Sequence, residues 1–248
     1  MNRLSAAIAA VLLAGLPTSL SAAVIDAKTN IFVAGQDSTG INTQGGLFPT
    51  VVQTFIAGAG QMVTFAVTPS ALGCGAGACA TAGTGDGASL GFAGGTAITP
   101  IGTNGISGIT FLGREMFLVG VFLDNATPTG AGPASLTYVS SGGTFNADTD
   151  TTFAAFLTGQ VFLIGDGRTG FNNGAGTIQT FAVPANATRL FLGFAEANGF
   201  VGTWGGYGDN TGSLNVTVNA ISGVPEPGTI MLLGLGLAGL ACFRKRIA

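Results

Sequence analysis

Few residues in this sequence could do chemistry, and their types narrow it quickly. His is absent from all 248 positions. That removes the side chain that titrates nearest neutral pH and the commonest metal ligand. A Ser-His-Asp hydrolytic arrangement is therefore excluded. A metal would be held by oxygen, which suits hard cations such as calcium. Asp148 and Asp150, in FNADTDTTF, stand two apart. They share a face if the segment is a strand and are solvated if it is a turn. Paired carboxylates run glycoside hydrolysis, but this spacing alone does not make a catalytic pair, and the chain reads as non-enzymatic. Asp166-Gly167-Arg168, followed by Gly170 and Asn172-Asn173-Gly174, is a run of turn dipeptides.

A longer stretch, FAVPANATRLFLGFAEANGFVGTWGGYGDNTGSLNVTV at residues 181–218, concentrates oxygen donors and aromatics. The strand pattern LFLGF stops at Glu196, a Gly-rich loop follows, and Tyr207 to Ser213 feeds a last strand. Glu196, Asp209 and Asn210 could converge at one end of two neighbouring strands and offer the oxygens that calcium takes. An Asx-rich turn without metal fits the same spacing. Trp204 and Tyr207 are a candidate carbohydrate platform, because rigid rings lose little entropy on binding; the alternative is a Trp that covers the end of a sheet. Cys74 and Cys79, in CGAGAC, can meet as a disulfide in an oxidising compartment, or remain two thiols.

The elements that must position these residues read as all-β. Apolar residues make up 47% of the chain, 18 positions are Phe and 43 are Gly. That apolar content argues against disorder, and a turn-rich β domain accommodates both Gly and Phe. Strand patterns run over 61–68, 109–111, 116–123, 153–164 in short pieces, 178–183, 189–194 and 214–218. LNVTV at 214–218 alternates as a half-buried strand does. Gly, Asn, Asp and Pro clusters between the runs are turns. Residues 69–106 read as a long Gly- and Ala-rich loop excursion. The expected fold is an antiparallel β-sandwich, jelly-roll or lectin-like, over residues 24–223. That body carries four basic residues, Lys28, Arg114, Arg168 and Arg189, against ten acidic ones. Nucleic acid is thereby excluded as a partner, since phosphate binding needs clustered Lys and Arg.

Both ends of the chain are apolar and flanked by positive charge. MNRLSAAIAAVLLAGLPTSLSAA has Arg3, an apolar run over Ala6 to Leu16, and small residues at Ser21-Ala22-Ala23. It reads as a signal peptide over 1–23, cut after Ala23 or one residue earlier. The other end is VPEPGTIMLLGLGLAGLACFRKRIA at 224–248. Its apolar run over 228–243, about 24 Å long as a helix at ~1.5 Å per residue, reads as a single transmembrane helix with snorkelling basic flanks. Arg244, Lys245 and Arg246 should stay cytoplasmic. Pro225-Glu226-Pro227 is extended and accessible just outside the membrane, because each Pro bars helix before it. Motif, short span and basic tail, in that order, resemble the PEP-CTERM sorting signal of Gram-negative bacteria. The resemblance implies recognition by an exosortase, loss of the tail, and release or attachment at the cell surface or in the extracellular matrix. It also implies an association with exopolysaccharide production.

YGDNTGSLNVTV at 207–218 resembles the YGNNSGSF-type ending of the PA-I-like calcium-dependent galactophilic lectins, and GQMVTFAVT and FAVPANATRLFLGFAE resemble strands of that family more weakly. The resemblance implies that Asn210 keeps a ligand amide, that Asp209 replaces a second amide with a carboxylate, that Glu196 stands in for an upstream Asp and that Gly206 supplies a carbonyl. Here the loop from Glu196 to Tyr207 is longer than in the family, and the family's sugar-contacting His is missing. The expectation is calcium and carbohydrate binding, with extracellular polysaccharide as partner. The competing expectation is a structural matrix or adhesion protein with no discrete ligand site.

Overall fold

The structure is a computed structural model. It describes residues 18–221, apart from 38–39, 59, 69, 76–84, 90–94, 101, 140–144, 155 and 172–173. The first seventeen residues of the expected signal peptide lie outside the described residues. So do the Pro225–Pro227 motif, the 228–243 helix and the 244–246 basic tail. Among the described residues, no helix is long and apolar enough to cross a membrane.

The described chain is all-β, with 47% of residues in strands. β1 (Thr18–Asp26), β2 (Val51–Thr54), β3 (Met62–Thr68) and β4 (Leu72–Gly73) come first. β5 (Ala88–Ser89), β6 (Gly95–Thr99), β7 (Ile109–Leu112), β8 (Arg114–Glu115) and β9 (Leu118–Leu123) follow. Then come β10 (Leu136–Val139), β11 (Phe145–Asn146), β12 (Thr152–Phe153) and β13 (Val161–Leu163). β14 (Thr180–Ala182), β15 (Arg189–Phe194), β16 (Val201–Thr203) and β17 (Thr211–Ile221) complete the set. Four sheets result, where a simple sandwich has two. The largest runs β1-β17-β3-β14-β12, with β4 also on β17. The others run β11-β10-β7-β6-β16, β13-β9-β15-β2 and β5-β8. β5 of the last sheet lies in residues 69–106, the stretch read from sequence as a long loop excursion, which also contributes β4 and β6.

Side-chain pattern explains the placement. β17 buries Leu214, Val216, Val218 and Ala220 on one face, the period-two pattern of a strand with one face on the core. It pairs antiparallel with β1 on one side and β3 on the other. Thr18 to Ala23 of the expected signal peptide form the first part of β1, opposite Ile221 to Val216. Cleavage after Ala23 would leave β1 only Val24–Asp26. β9 and β15 are different: LVGVFL is buried at every position and RLFLGF at all but the first. Both faces of their sheet are covered, so an uninterrupted apolar run replaces alternation.

Two glycines set the spacing of these layers. A Cβ on Gly120 in β9 would stand 2.6 Å from Cζ of Phe162. A Cβ on Gly193 in β15 would stand 2.7 Å from the Thr29 carbonyl, which lies beside the short 3-10 turn Ile31–Val33. The aromatic core forms one connected cluster around Phe162. Phe65, Phe122, Phe156 and Phe181 surround it at centroid distances of 4.7–6.4 Å.

Candidate functional site

β15 carries the backbone into Ala195, Glu196 and Ala197, all buried. The chain then makes a 3-10 turn at Asn198–Phe200, passes through β16, and returns. Ala197 bridges Trp204 antiparallel, and the Gly205 N–H donates to the Glu196 carbonyl at 3.1 Å. The long Gly-rich loop is therefore a closed hairpin that ends where it began. Gly206, at φ +93°, turns the chain into a second 3-10 turn at Tyr207–Asp209. A Cβ there would lie 3.4 Å from Oε1 of Glu196 and 3.1 Å from Oδ1 of Asn198. Asn210 follows and starts the run into β17.

Glu196 and Asn210 meet. Nδ2 of Asn210 donates to Oε2 of Glu196 and, at 3.0 Å, to the carbonyl of Ala27. Asn210 is completely buried, and its Oδ1 has no hydrogen-bond partner. Burial pushes the Glu196 carboxyl up to about 7; the Asn210 donor opposes the rise, and the Asp209 charge adds to it. Asp209 is exposed, and its Oδ2 would stand 2.7 Å from a Cβ on Gly75. The structure thus joins Glu196, Gly206 and Asn210 and turns Asp209 to the neighbouring turn. Among the described residues, no group of three or more His, Cys, Asp or Glu is arranged to hold a metal.

The aromatic pair is placed differently from the sequence expectation. Tyr207 is 0% exposed and Trp204 is 6% exposed, so neither presents a ring face for stacking a sugar. The reason is hydrogen bonding. The Tyr207 hydroxyl donates to the Phe194 carbonyl at 2.9 Å and accepts from the Glu196 N–H at 3.2 Å. Those two bonds draw the ring inward, and burial raises the phenol's pKa. Trp204 is held by its bridge to Ala197, with its indole N–H unpartnered.

Asp150 and Asp148 form a turn. Asp150 accepts from the Asn146 N–H at 2.8 Å, and the Asp148 N–H donates to the Asn146 side chain at 3.0 Å. Cys74 is buried and disulfide-bonded; Cys79 lies outside the described residues. Sequence reasoning passed over Asp86 and read Asp166 only as part of a turn; both are acids between glycines. Each is only 3% exposed. Burial first, and then the Asp86 charge, push the Asp166 carboxyl up to about 7. The repeated tripeptide Gly-Asp-Gly was the available signal.

Glu196 and Asp166 give stability a definite pH dependence in metal-free buffer. Both have folded pKa values near 7, above the ordinary 4.5 and 3.8. Ionising them inside the protein therefore costs stability. Their contribution is full below about pH 4 and is lost as pH rises through about 7. We expect the thermal midpoint in EDTA to fall between pH 5 and pH 8, and Glu196→Gln combined with Asp166→Asn to flatten that fall. A midpoint that rises over the same interval would rule this out.

Residues 223–246 match the PEP-CTERM protein-sorting motif. The match marks an exported, membrane-anchored precursor recognised and processed by exosortase. No curated protein and no solved structure matches the chain significantly. The likeness of residues 207–218 to the PA-I-like lectins is not supported by these comparisons.

Proposed function

We propose that the processed chain is a non-catalytic surface or matrix protein whose β domain works outside the cytoplasmic membrane. The observation that carries this reading is the join between domain and tail. β17 runs paired to Ile221, and the sorting segment begins at residue 223. Cutting at the PEP region therefore removes no described residue of the sheet. Intact mass of the exported protein tests it. The wild type should lack every residue beyond the PEP region, and replacing Pro225, Glu226 and Pro227 by Ala should leave the full-length chain in the membrane fraction. A wild-type protein that keeps its basic tail at the surface defeats the proposal.

One observation favours a finer reading, calcium-dependent engagement of extracellular polysaccharide. Asn210 Oδ1 is buried without a partner beside the Glu196 carboxylate, with Gly206 adjacent. Calcium would be held by Glu196 and the Asn210 carbonyl oxygen and would offer its open positions to sugar hydroxyls. Trp204 and Tyr207 would act from beneath, shaping the loop. A glycan array with the full-length chain, with and without EDTA, decides between the readings. Calcium-dependent binding that is lost in Glu196→Gln supports the lectin reading, and no binding in either condition leaves the structural one.

A further inference from the structure

β1 stands at the end of the largest sheet, and most of it belongs to the expected signal peptide. It covers β17 from Thr18 opposite Ile221 to Asp26 opposite Ser213. Six of its nine residues, Thr18 to Ala23, precede a cut after Ala23. A cut one residue earlier also falls inside the strand. The same six residues reach across to a second sheet. The Ser21 hydroxyl donates to the Val52 carbonyl at 2.5 Å, and the Gln53 side-chain amide donates to the Ser19 hydroxyl at 2.9 Å. Val52 and Gln53 lie in β2, the end strand of the β13-β9-β15-β2 sheet. Removing the leader therefore strips β17 of its partner over Val216–Ile221 and takes away the donor to Val52.

A bare strand edge is a row of unpaired N–H and C=O groups that templates another strand, and natural edges are blunted by charge, Pro or a bulge. This edge carries none of them. Neither VTVNAI at 216–221 nor VVQT at 51–54 contains a charged residue or Pro. β17 pairs with β1 and β3 without a register shift. Elsewhere the body is acidic, with ten acids against four bases. This uncharged strip is thus a place where two copies can approach without facing like charge.

The edge is also complementary to itself. Val216, Val218 and Ala220 are buried on the core side, while Thr217 and Asn219 alternate with them on the outer, half-buried side. A two-fold axis perpendicular to a joined sheet keeps each residue on its own face, as a self-complementary dimer requires. Antiparallel pairing centred on Val218 sets Val216 opposite Ala220 and Thr217 opposite Asn219. Apolar then meets apolar and polar meets polar, the cross-strand pairs that stabilise a sheet. Every processed copy presents the same edge, so the occupant that matches it is a second copy.

We propose that loss of the leader turns β17 into a dimerisation edge, filled over Val216–Ala220 by β17 of a second copy of this chain. The proposal rests on the export reading above and adds to it a partner and a surface. In the precursor Thr18 to Ala23 occupy the edge and keep the chain monomeric.

The test uses the exported, processed protein, with its first residue read by N-terminal sequencing and its mass by light scattering after gel filtration. The wild type should begin at Ala23 or Val24 and run as a dimer. Asn219→Lys places on the outer face the charge that blunts natural edges; it should begin at the same residue, stay folded by circular dichroism and run as a monomer. Ala22→Val combined with Ala23→Val puts branched residues at the cut while suiting a strand; this chain should keep its leader and be monomeric in detergent. A correctly cut wild type that is monomeric overturns the proposal, as does a dimer that persists in Asn219→Lys or forms in the uncut variant. A first residue that keeps Ser21 leaves β1 on β17 and overturns it too. In each of these cases loss of the C-terminal tail by intact mass leaves the export reading standing, whereas a wild type with both ends uncut defeats that reading itself.

Discussion

Phe162→Ala should lower the unfolding free energy by about 3–5 kcal/mol, the range for deleting a fully buried aromatic side chain. Phe162 is 0% exposed. Its ring stacks on Phe156 at 4.7 Å and on Phe122 at 4.9 Å, and it meets Phe181 at 5.6 Å and Phe65 at 6.4 Å. On its remaining side stands Gly120, which has no side chain to move into the vacated space. Surrounding rings are held by their own contacts: Phe153 stacks on Phe181 at 5.0 Å and Phe55 meets Phe122 edge-on at 5.8 Å. A site that cannot collapse retains its cavity, which places the cost in the upper part of the range. Against a typical total of about 5–15 kcal/mol this is a large share, and the thermal midpoint should fall by on the order of 10 °C. Denaturant unfolding of the variant measures it. A cost under about 1 kcal/mol would mean that the aromatic cluster repacks, contrary to the geometry described.

Asn210→Ala should cost about 2–3 kcal/mol, mainly through what it leaves behind. The wild-type amide serves two acceptors from different parts of the chain, the Glu196 carboxylate at the end of β15 and the Ala27 carbonyl just after β1. Without it, both stay buried and lose their shared donor. The variant also carries a signature that simple loss of packing would not produce. The Asn210 donor holds the Glu196 carboxyl down against its desolvation. Removing it raises that pKa further, so the destabilisation should grow as pH rises from 5 to 8. In a Glu196→Gln background the additional cost of Asn210→Ala should shrink, because a neutral amide tolerates the loss better. A double-mutant cycle reads this coupling directly; equal costs in both backgrounds would show that the two side chains act independently.

Much of the β framework was legible from residue order. LNVTV alternates, and it forms the centre of β17. RLFLGF, at 189–194, coincides with β15, and QMVTFAVT contains β3. In each case neighbouring residues carry the signal, whether as alternation on a half-buried face or as an unbroken run on a face-to-face buried one. The segment around β4, β5 and β6 was not legible. Its Gly and Ala lack strand propensity, and pairing with β17, β8, β7 and β16 places those short strands. Thr18 to Ala23 read as the end of a signal peptide, yet the same small and β-tolerant residues also suit a strand along β17.

The candidate site divides in the same way. Glu196 and Asn210 could be named from the end of LFLGF and the start of the last strand, because both lie at predictable strand termini. The inward turn of Tyr207 and Trp204 could not, since it depends on the Phe194 carbonyl and on Ala197 across the hairpin. Asp86 looked like any turn residue beside Gly.

Sequence alone determined the β class and the sorting tail at 224–248, which the sorting-motif match covers over 223–246, because strand alternation, proline stiffness and a greasy run before basic residues are properties of adjacent positions. Tertiary structure alone decided which acids are buried and which aromatics are hidden. Those outcomes depend on contacts between segments tens of residues apart, such as Asp86 against Asp166 and Asn210 against Ala27. Burial shifts a carboxyl's pKa and can leave an oxygen without a partner only after the chain has folded around it.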